Sequence, residues 1–289
     1  MKPIAVLRIV CLLSLFGPVS RAQHPEEGFS IAGIEQHEMT SRINGLPYRI
    51  TVALPFSYTP GDTAHYPVLY VLDADPNLPL AALIQWNMTY DNEVPKMILV
   101  GVGYQAPNFM GTVSYRALDY TPVRDAAADS QMTAGHHRKM VSGGAAVFLR
   151  VMQEEIMPFI EKNYRVSNDR ALAGHSFGGL FAAYVLFTRP QLFDRYLISS
   201  PSLDWGGGEI GKEEARFYAS GHGDLPARVF LSAGSAEPDQ MVPDVNALAG
   251  VLRGRGYKGL EVTEKIFEDE THLSVIPFAF SRGIRVLYR

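Results

Sequence analysis

The residues whose types and spacing most plainly suit chemistry are Gly174-His175-Ser176-Phe177-Gly178, a Gly-x-Ser-x-Gly pentapeptide. The apolar Ala171-Leu172-Ala173 precedes it and an apolar run at residues 180–187 follows it. Strand, tight turn and helix in that order hold a serine with its hydroxyl exposed for nucleophilic attack. Glycines suit such a turn, because strained backbone angles and a close approach of strand to helix exclude a Cβ. A hydroxyl alone is a weak nucleophile, so the chain must also supply a base and a group that orients it. With 26 glycines in 289 residues, the pentapeptide is modest evidence without its setting.

The expected order along the chain is serine, acid, histidine. Residues 228–232 read as a strand that runs into Ala233-Gly234-Ser235-Ala236-Glu237-Pro238-Asp239. Glu237 is the first choice for the orienting carboxylate; Asp239, equally suited to capping the next helix, is the second. A further strand at residues 260–266 leads into Phe267-Glu268-Asp269-Glu270-Thr271-His272-Leu273-Ser274. Of eight histidines, only His272 follows both the serine and the candidate acids on a loop after a late strand, which makes it the expected base. The oxyanion of a tetrahedral intermediate needs two backbone N–H donors. Phe177, next to the serine, is one, and the loop Asp73-Ala74-Asp75-Pro76 supplies the other. Asp75 is expected, because Pro76 has no N–H. Together these groups suit acyl transfer from an ester through an acyl-enzyme.

The elements that must position them alternate. Strands are expected at residues 30–40, 48–54, 67–73, 97–102, 171–173, 196–199, 228–232 and 260–266, with a turn at Asn44-Gly45. Helices are expected at 81–90, 145–164, 178–188, 211–219, 239–255 and 274–288. This pattern predicts an α/β fold with a mostly parallel sheet and helices on both faces, its ligands bound at the carboxyl ends of the strands. Residues 103–143 show no clear period and read as a rim or lid over the pocket. Arg116, within that segment, suits forked binding of a substrate carboxylate or catecholate, or an ion pair with Asp119. Trp205 suits stacking on an aromatic acyl group or filling the core.

Residues 1–22 read as a signal peptide: Lys2 and Arg8, an apolar stretch at 9–19, and Ser20-Arg21-Ala22 before the cut. The expected mature protein is therefore periplasmic or secreted, without stable membrane association, and is one domain over residues 23–289. Cys11 is the only cysteine, so the mature chain would hold no disulfide and no thiolate metal site. A net charge of −4 offers no long-range attraction for nucleic acid. No metal motif stands out, since His37-Glu38 is followed by Ser41 where a second histidine belongs. Gly101-Val102-Gly103 follows a strand, but Pro107 stands where a dinucleotide-binding helix would start. No cofactor is expected; oligomeric state is left open.

The chain resembles an esterase family of α/β hydrolases that includes esterase D, feruloyl and acetylxylan esterases and siderophore esterases, with most likeness to the siderophore-esterase branch. The residues that carry the resemblance are Tyr66-Pro67-Val68-Leu69-Tyr70-Val71-Leu72-Asp73, Arg116, Asp119-Tyr120-Thr121-Pro122, Ser142-Gly143-Gly144, Tyr164-Arg165-Val166, Ser200-Pro201-Ser202-Leu203 and Thr271-His272-Leu273-Ser274. It implies the α/β-hydrolase fold, Ser176 as nucleophile, His272 as base, Phe177 and Asp75 as oxyanion donors, and a small-molecule ester as substrate. Asp204 before Trp205 departs from the aromatic pair of many relatives. Alternatives are a carbohydrate-linked acetyl or feruloyl esterase, an acyltransferase, and a binding protein of the same fold that has lost catalysis.

Overall fold

The most apolar stretches of the sequence form the middle of one eight-stranded sheet. The structure, a computed structural model, describes residues 33–59, 61, 63–106 and 109–289; the expected leader at residues 1–22 and the start of the first expected strand lie outside the described residues. The strands are β1 (Ile34–Thr40), β2 (Pro47–Ala53), β3 (Tyr66–Leu72), β4 (Ile98–Tyr104), β5 (Val166–His175), β6 (Arg195–Ser199), β7 (Arg228–Gly234) and β8 (Glu261–Phe267). Their order is β1-β2-β4-β3-β5-β6-β7-β8. The pairs β1–β2 and β2–β4 are antiparallel, and all the others are parallel. Gly45, at a φ of 72°, makes the turn expected between the first two strands.

Every residue of β4 is buried, as continuous apolar runs in a doubly covered sheet require. Helix α1 (Ala74–Tyr90) covers one face and packs against β4 and against α9 (Val275–Tyr288). Gly101 permits this close approach: a Cβ there would lie 2.8 Å from the Ala74 Cβ. On the other face, Val68, Tyr70 and Leu72 of β3 join Phe148 and Phe181 in one buried cluster. These aromatics come from α4 (Ala145–Val151), which continues through a π turn at Met152–Ile156 into α5 (Met157–Asn163), and from α6 (Phe177–Thr188). Helices α7 (Trp205–Ala219) and α8 (Met241–Arg255) follow β6 and β7. This is the α/β-hydrolase fold.

Two expectations are corrected. Helix α1 begins at Ala74 rather than residue 81, because Asp73 takes a left-handed conformation (φ 52°, ψ 56°) that turns the chain straight out of β3. Pro76 is tolerated in its first turn, where N–H groups have no intrahelical partner. Residues 103–143 are also not irregular, for they hold α2 (Phe109–Tyr120) and α3 (Ala126–His136). The periodicity was masked because α2 turns polar side chains inward: Thr112 and Asp119 are buried, as is Thr121 just beyond it. Helix α3 is defined more by its cap than by an apolar face, with Asp125 Oδ1 accepting from the Ala127 and Ala128 N–H groups at 3.1 and 3.0 Å.

Candidate active site

Strand β5 ends at His175, α6 starts at Phe177, and Ser176 alone makes the turn at φ 59°, ψ −120°. A serine pays strain for positive φ and keeps it only where its surroundings over-determine the turn. They do so here. The Ser176 N–H donates to the Ser199 carbonyl at 3.0 Å, and the Ser176 carbonyl accepts from the Leu180 N–H at 2.9 Å. A Cβ on Gly174 would stand 2.1 Å from the Gly178 carbonyl oxygen, so this position admits only glycine. At Gly178 a Cβ would meet its nearest atom at 3.4 Å, an ordinary contact. The first glycine of the motif is therefore a steric requirement and the second is not.

The loops after β7 and β8 are laced together. Ser235 N–H donates to the Phe267 carbonyl at 2.8 Å and Ala236 N–H to the Glu270 carbonyl at 3.0 Å. Gly234 permits this, since a Cβ there would lie 2.0 Å from the Glu270 oxygen. The lacing sets Glu237 against His272, with Nδ1 bonded to Oε2 at 2.6 Å. Glu237 Oε1 accepts from the Ser200 hydroxyl at 2.5 Å and from the Gly234 N–H at 2.8 Å. Burial alone would raise the Glu237 carboxyl, but the hydrogen bonds from His272, Gly234 and Ser200 outweigh it and hold the group below its usual range. A carboxylate accepting at Nδ1 leaves the His272 Nε2 lone pair free to take a proton. Asp239 is exposed, and α8 is capped neither by it nor by another side chain of the cap position, Gln240.

His272 is half-exposed, and its ring lies 4.5 Å, centre to centre, from that of His175 beside the serine. Burial pushes the His175 imidazole down to about 3, and the neighbouring His272 adds to the shift. His175 thus puts no second cation against His272. Among the described residues no hydrogen bond joins Ser176 to His272; such bonds commonly tighten only in the substrate complex. Ser200 and His175 had no assigned role in the sequence reading. The Ser200-Pro201-Ser202-Leu203 motif was the available signal for Ser200, whose own φ of 43° points its hydroxyl back to Glu237.

On the other side of the elbow, the ion pair of Arg116 with Asp119, one of the two readings of this residue, is not what forms. Arg116 Nε and Nη2 donate to Asp73 Oδ1 and Oδ2 at 2.8 and 2.9 Å. The fork considered for a substrate carboxylate or catecholate is thus turned to the loop that leads to Asp75. Asp119 instead accepts from the Tyr48 and Tyr104 hydroxyls at 2.6 and 3.0 Å. Burial pushes the Asp119 carboxyl up to about 7, only partly offset by those two hydrogen bonds. A carboxyl raised on folding favours the fold below its unfolded value of about 4 and loses that contribution as pH rises through 7. The stability of the wild type relative to Asp119→Asn is therefore expected to fall from pH 4 to pH 7 and to level off above it, as read by urea melts across that range.

Trp205 is buried, donates its N–H to the Val123 carbonyl at 2.9 Å, and meets the Phe177 ring edge-on at 5.1 Å. It braces the residue after the serine. Gly206, Gly207 and Gly208 follow in left-handed conformation, which carries the chain from Trp205 into the regular part of α7.

This chain belongs to the Putative esterase family, whose sequence profile matches residues 41–239; it is an enzyme that acts on ester bonds. It is similar to the ferri-bacillibactin esterase BesA of Bacillus subtilis, with 31% identity over 265 residues, 89% of this chain and 90% of that protein. The siderophore enterobactin esterase of Emericella nidulans is 31% identical over 273 residues, covering 83% of this chain and 89% of its own. Among solved structures, the BES protein of Bacillus cereus superposes with a TM-score of 0.81 at 30% identity, over 91% of this chain and 98% of that one.

Proposed function

We propose that the chain is an exported serine esterase that cleaves siderophore esters of the catecholate trilactone class. The observation that carries the chemistry is the buried Glu237 bonded to His272 at 2.6 Å, beside a serine strained into a left-handed turn. His272 Nε2 takes the Ser176 proton as Oγ attacks the ester carbonyl. The N–H groups of Phe177 and Asp75 receive the oxyanion, the leaving alcohol takes the proton from His272, and water repeats the sequence to free the acid. The half-exposed serine at the carboxyl ends of the parallel strands suits a small-molecule substrate. Ester hydrolysis by siderophore esterases of similar sequence supports the substrate class. Export rests on the leader-like residues 1–22, and among the described residues no helix is long and apolar enough to cross a membrane.

The test is hydrolysis of four substrates by the protein lacking residues 1–22: a short p-nitrophenyl ester, a feruloyl ester, an acetylated sugar and a catecholate trilactone. The trilactone is expected to give the highest kcat/KM. A higher value for the feruloyl ester or the acetylated sugar would move the assignment to carbohydrate-linked esters, and transfer to an added alcohol in preference to water would make the enzyme an acyltransferase.

A further inference from the structure

The two most exposed large apolar side chains among the described residues, Tyr90 at 88% and Phe56 at 76%, belong to the wall of one cavity of about 370 Å³. Single exposed apolar groups need no explanation, but two beside one hollow mark a place for a ligand. Trp86, in the same wall, is buried, and its ring centre lies 4.8 Å from that of Phe56. Three residues of this wall carry a buried polar atom with no hydrogen-bond partner among the described residues: the Ser57 hydroxyl, Gln85 Oε1 and Trp86 Nε1. The Gln85 amide nitrogen donates to the Thr89 hydroxyl at 2.6 Å and to the Pro95 carbonyl at 3.2 Å, which leaves the acceptor as its free atom. Buried polar groups are ordinarily paired, so three orphans in one wall call for a partner from outside the chain. Lys96, also in the wall, is exposed and makes no ion pair among the described residues. The nearest acid along the chain, Glu93, is held by Arg285 and Arg289.

This cavity is not the candidate active site. Strand β2 runs antiparallel to β4, so Phe56 and Ser57, just beyond β2, and Lys96, just before β4, stand at the amino ends of the parallel strands. Ser176 follows the carboxyl end of β5, at the opposite edge. Along α1, at about 1.5 Å per residue, Tyr90 is roughly 22 Å from Asp75. We infer that the cavity is a binding site for a small hydroxylated aromatic carboxylate, separate from ester hydrolysis. The volume, near the lower end for small-molecule sites, suits one substituted ring. That ring packs against Phe56 and Tyr90. Its carboxylate meets the Lys96 ammonium and accepts from Trp86 Nε1 or the Ser57 hydroxyl. Its hydroxyl donates to Gln85 Oε1, which a carboxylate, having no proton to give, cannot satisfy. The orphan atoms lie beneath the cavity surface, and the exposed Phe56 ring, resting on Trp86, turns aside to admit the ligand.

The experiment is isothermal titration calorimetry of the full chain with 4-hydroxybenzoate, benzoate, phenol and cyclohexanecarboxylate. 4-Hydroxybenzoate is expected to bind with a Kd of about 0.1 to 1 mM, the range open to a ligand of about ten heavy atoms. Benzoate is expected to bind about 3- to 10-fold more weakly, and phenol and cyclohexanecarboxylate at least about 10-fold more weakly. Lys96→Gln is expected to weaken 4-hydroxybenzoate by about 5- to 10-fold and to leave phenol within about twofold, while Tyr90→Ala weakens both. Both side chains are exposed, so both variants keep the wild-type melting curve, and their kcat/KM on a short p-nitrophenyl ester stays within about twofold. Ser176→Ala is expected to bind 4-hydroxybenzoate as the wild type does. No binding up to about 10 mM, an affinity that neither cavity variant changes, or phenol bound as tightly as the acid would each overturn the site. Competitive inhibition of ester hydrolysis with a constant equal to the Kd would overturn it too, by seating the ligand at the serine.

Discussion

Ser176→Ala is expected to lower kcat on every ester the protein cleaves by about 10⁴- to 10⁶-fold, with the fold unchanged. No neighbour can take over the attack. His175 is buried and points to Ser199, 3.2 Å from its hydroxyl, while Ser199 and Ser200 are themselves fully buried. The residual rate would come from oxyanion stabilisation and binding alone. Alanine relieves no clash at the elbow, because its Cβ replaces the serine Cβ at the same φ of 59°, so the melting temperature is expected to move little. The measurement is pre-steady-state hydrolysis of a p-nitrophenyl ester with substrate in excess over enzyme. A burst of p-nitrophenol equal to the enzyme concentration in the wild type, absent in the variant, marks the acyl-enzyme. An equal burst in both would remove Ser176 from the mechanism.

Glu237→Gln is expected to cost about 10⁴-fold in kcat, the loss seen when a buried triad carboxylate becomes an amide. Glu237 accepts from three donors at once, the His272 ring, the Gly234 N–H and the Ser200 hydroxyl. A glutamine has one accepting oxygen. If that oxygen serves Gly234 and Ser200, its NH₂ faces Nδ1 and drives the ring proton to Nε2, the atom that must take the proton from serine. Asp239→Asn is expected to leave kcat within about twofold, since the side chain is exposed. The same steady-state assay on both variants decides between the two carboxylates, and a larger loss at Asp239 than at Glu237 would reverse their roles. Ser200→Ala tests the network from its other end, and a loss smaller than that of Glu237→Gln is expected, because one of three hydrogen bonds goes and the carboxylate stays.

Legibility from the sequence followed the range of the physics. Interactions within a few residues were readable. The turn at Gly174 to Gly178, the apolar runs of the central strands and the cap-and-strand rhythm after β5 all depend on local backbone and burial, and the structure bears out the α/β architecture built on them. The Gly174 requirement is a contact four residues long. Where a helix hides behind inward polar groups, as α2 does with Thr112 and Asp119, local periodicity carries no sign of it.

The sequence by itself therefore determined the kind of fold, and it singled out Ser176 on its turn and His272 as the histidine expected to serve it. Between Glu237 and Asp239 it ranked Glu237 first with no contact to support the order, since both sit on the same loop. The contact of Glu237 with His272 comes from the lacing of this loop to the one after β8, through carbonyls more than thirty residues away along the chain, about Phe267 and Glu270. Likewise, the partner of Arg116 is set by the packing of α2 over the end of β3, which brings Asp73 across 43 residues and leaves the nearer Asp119 to two tyrosines. An ion pair forms with the charge that the fold brings within reach in a poorly screened place, and sequence separation does not measure that distance.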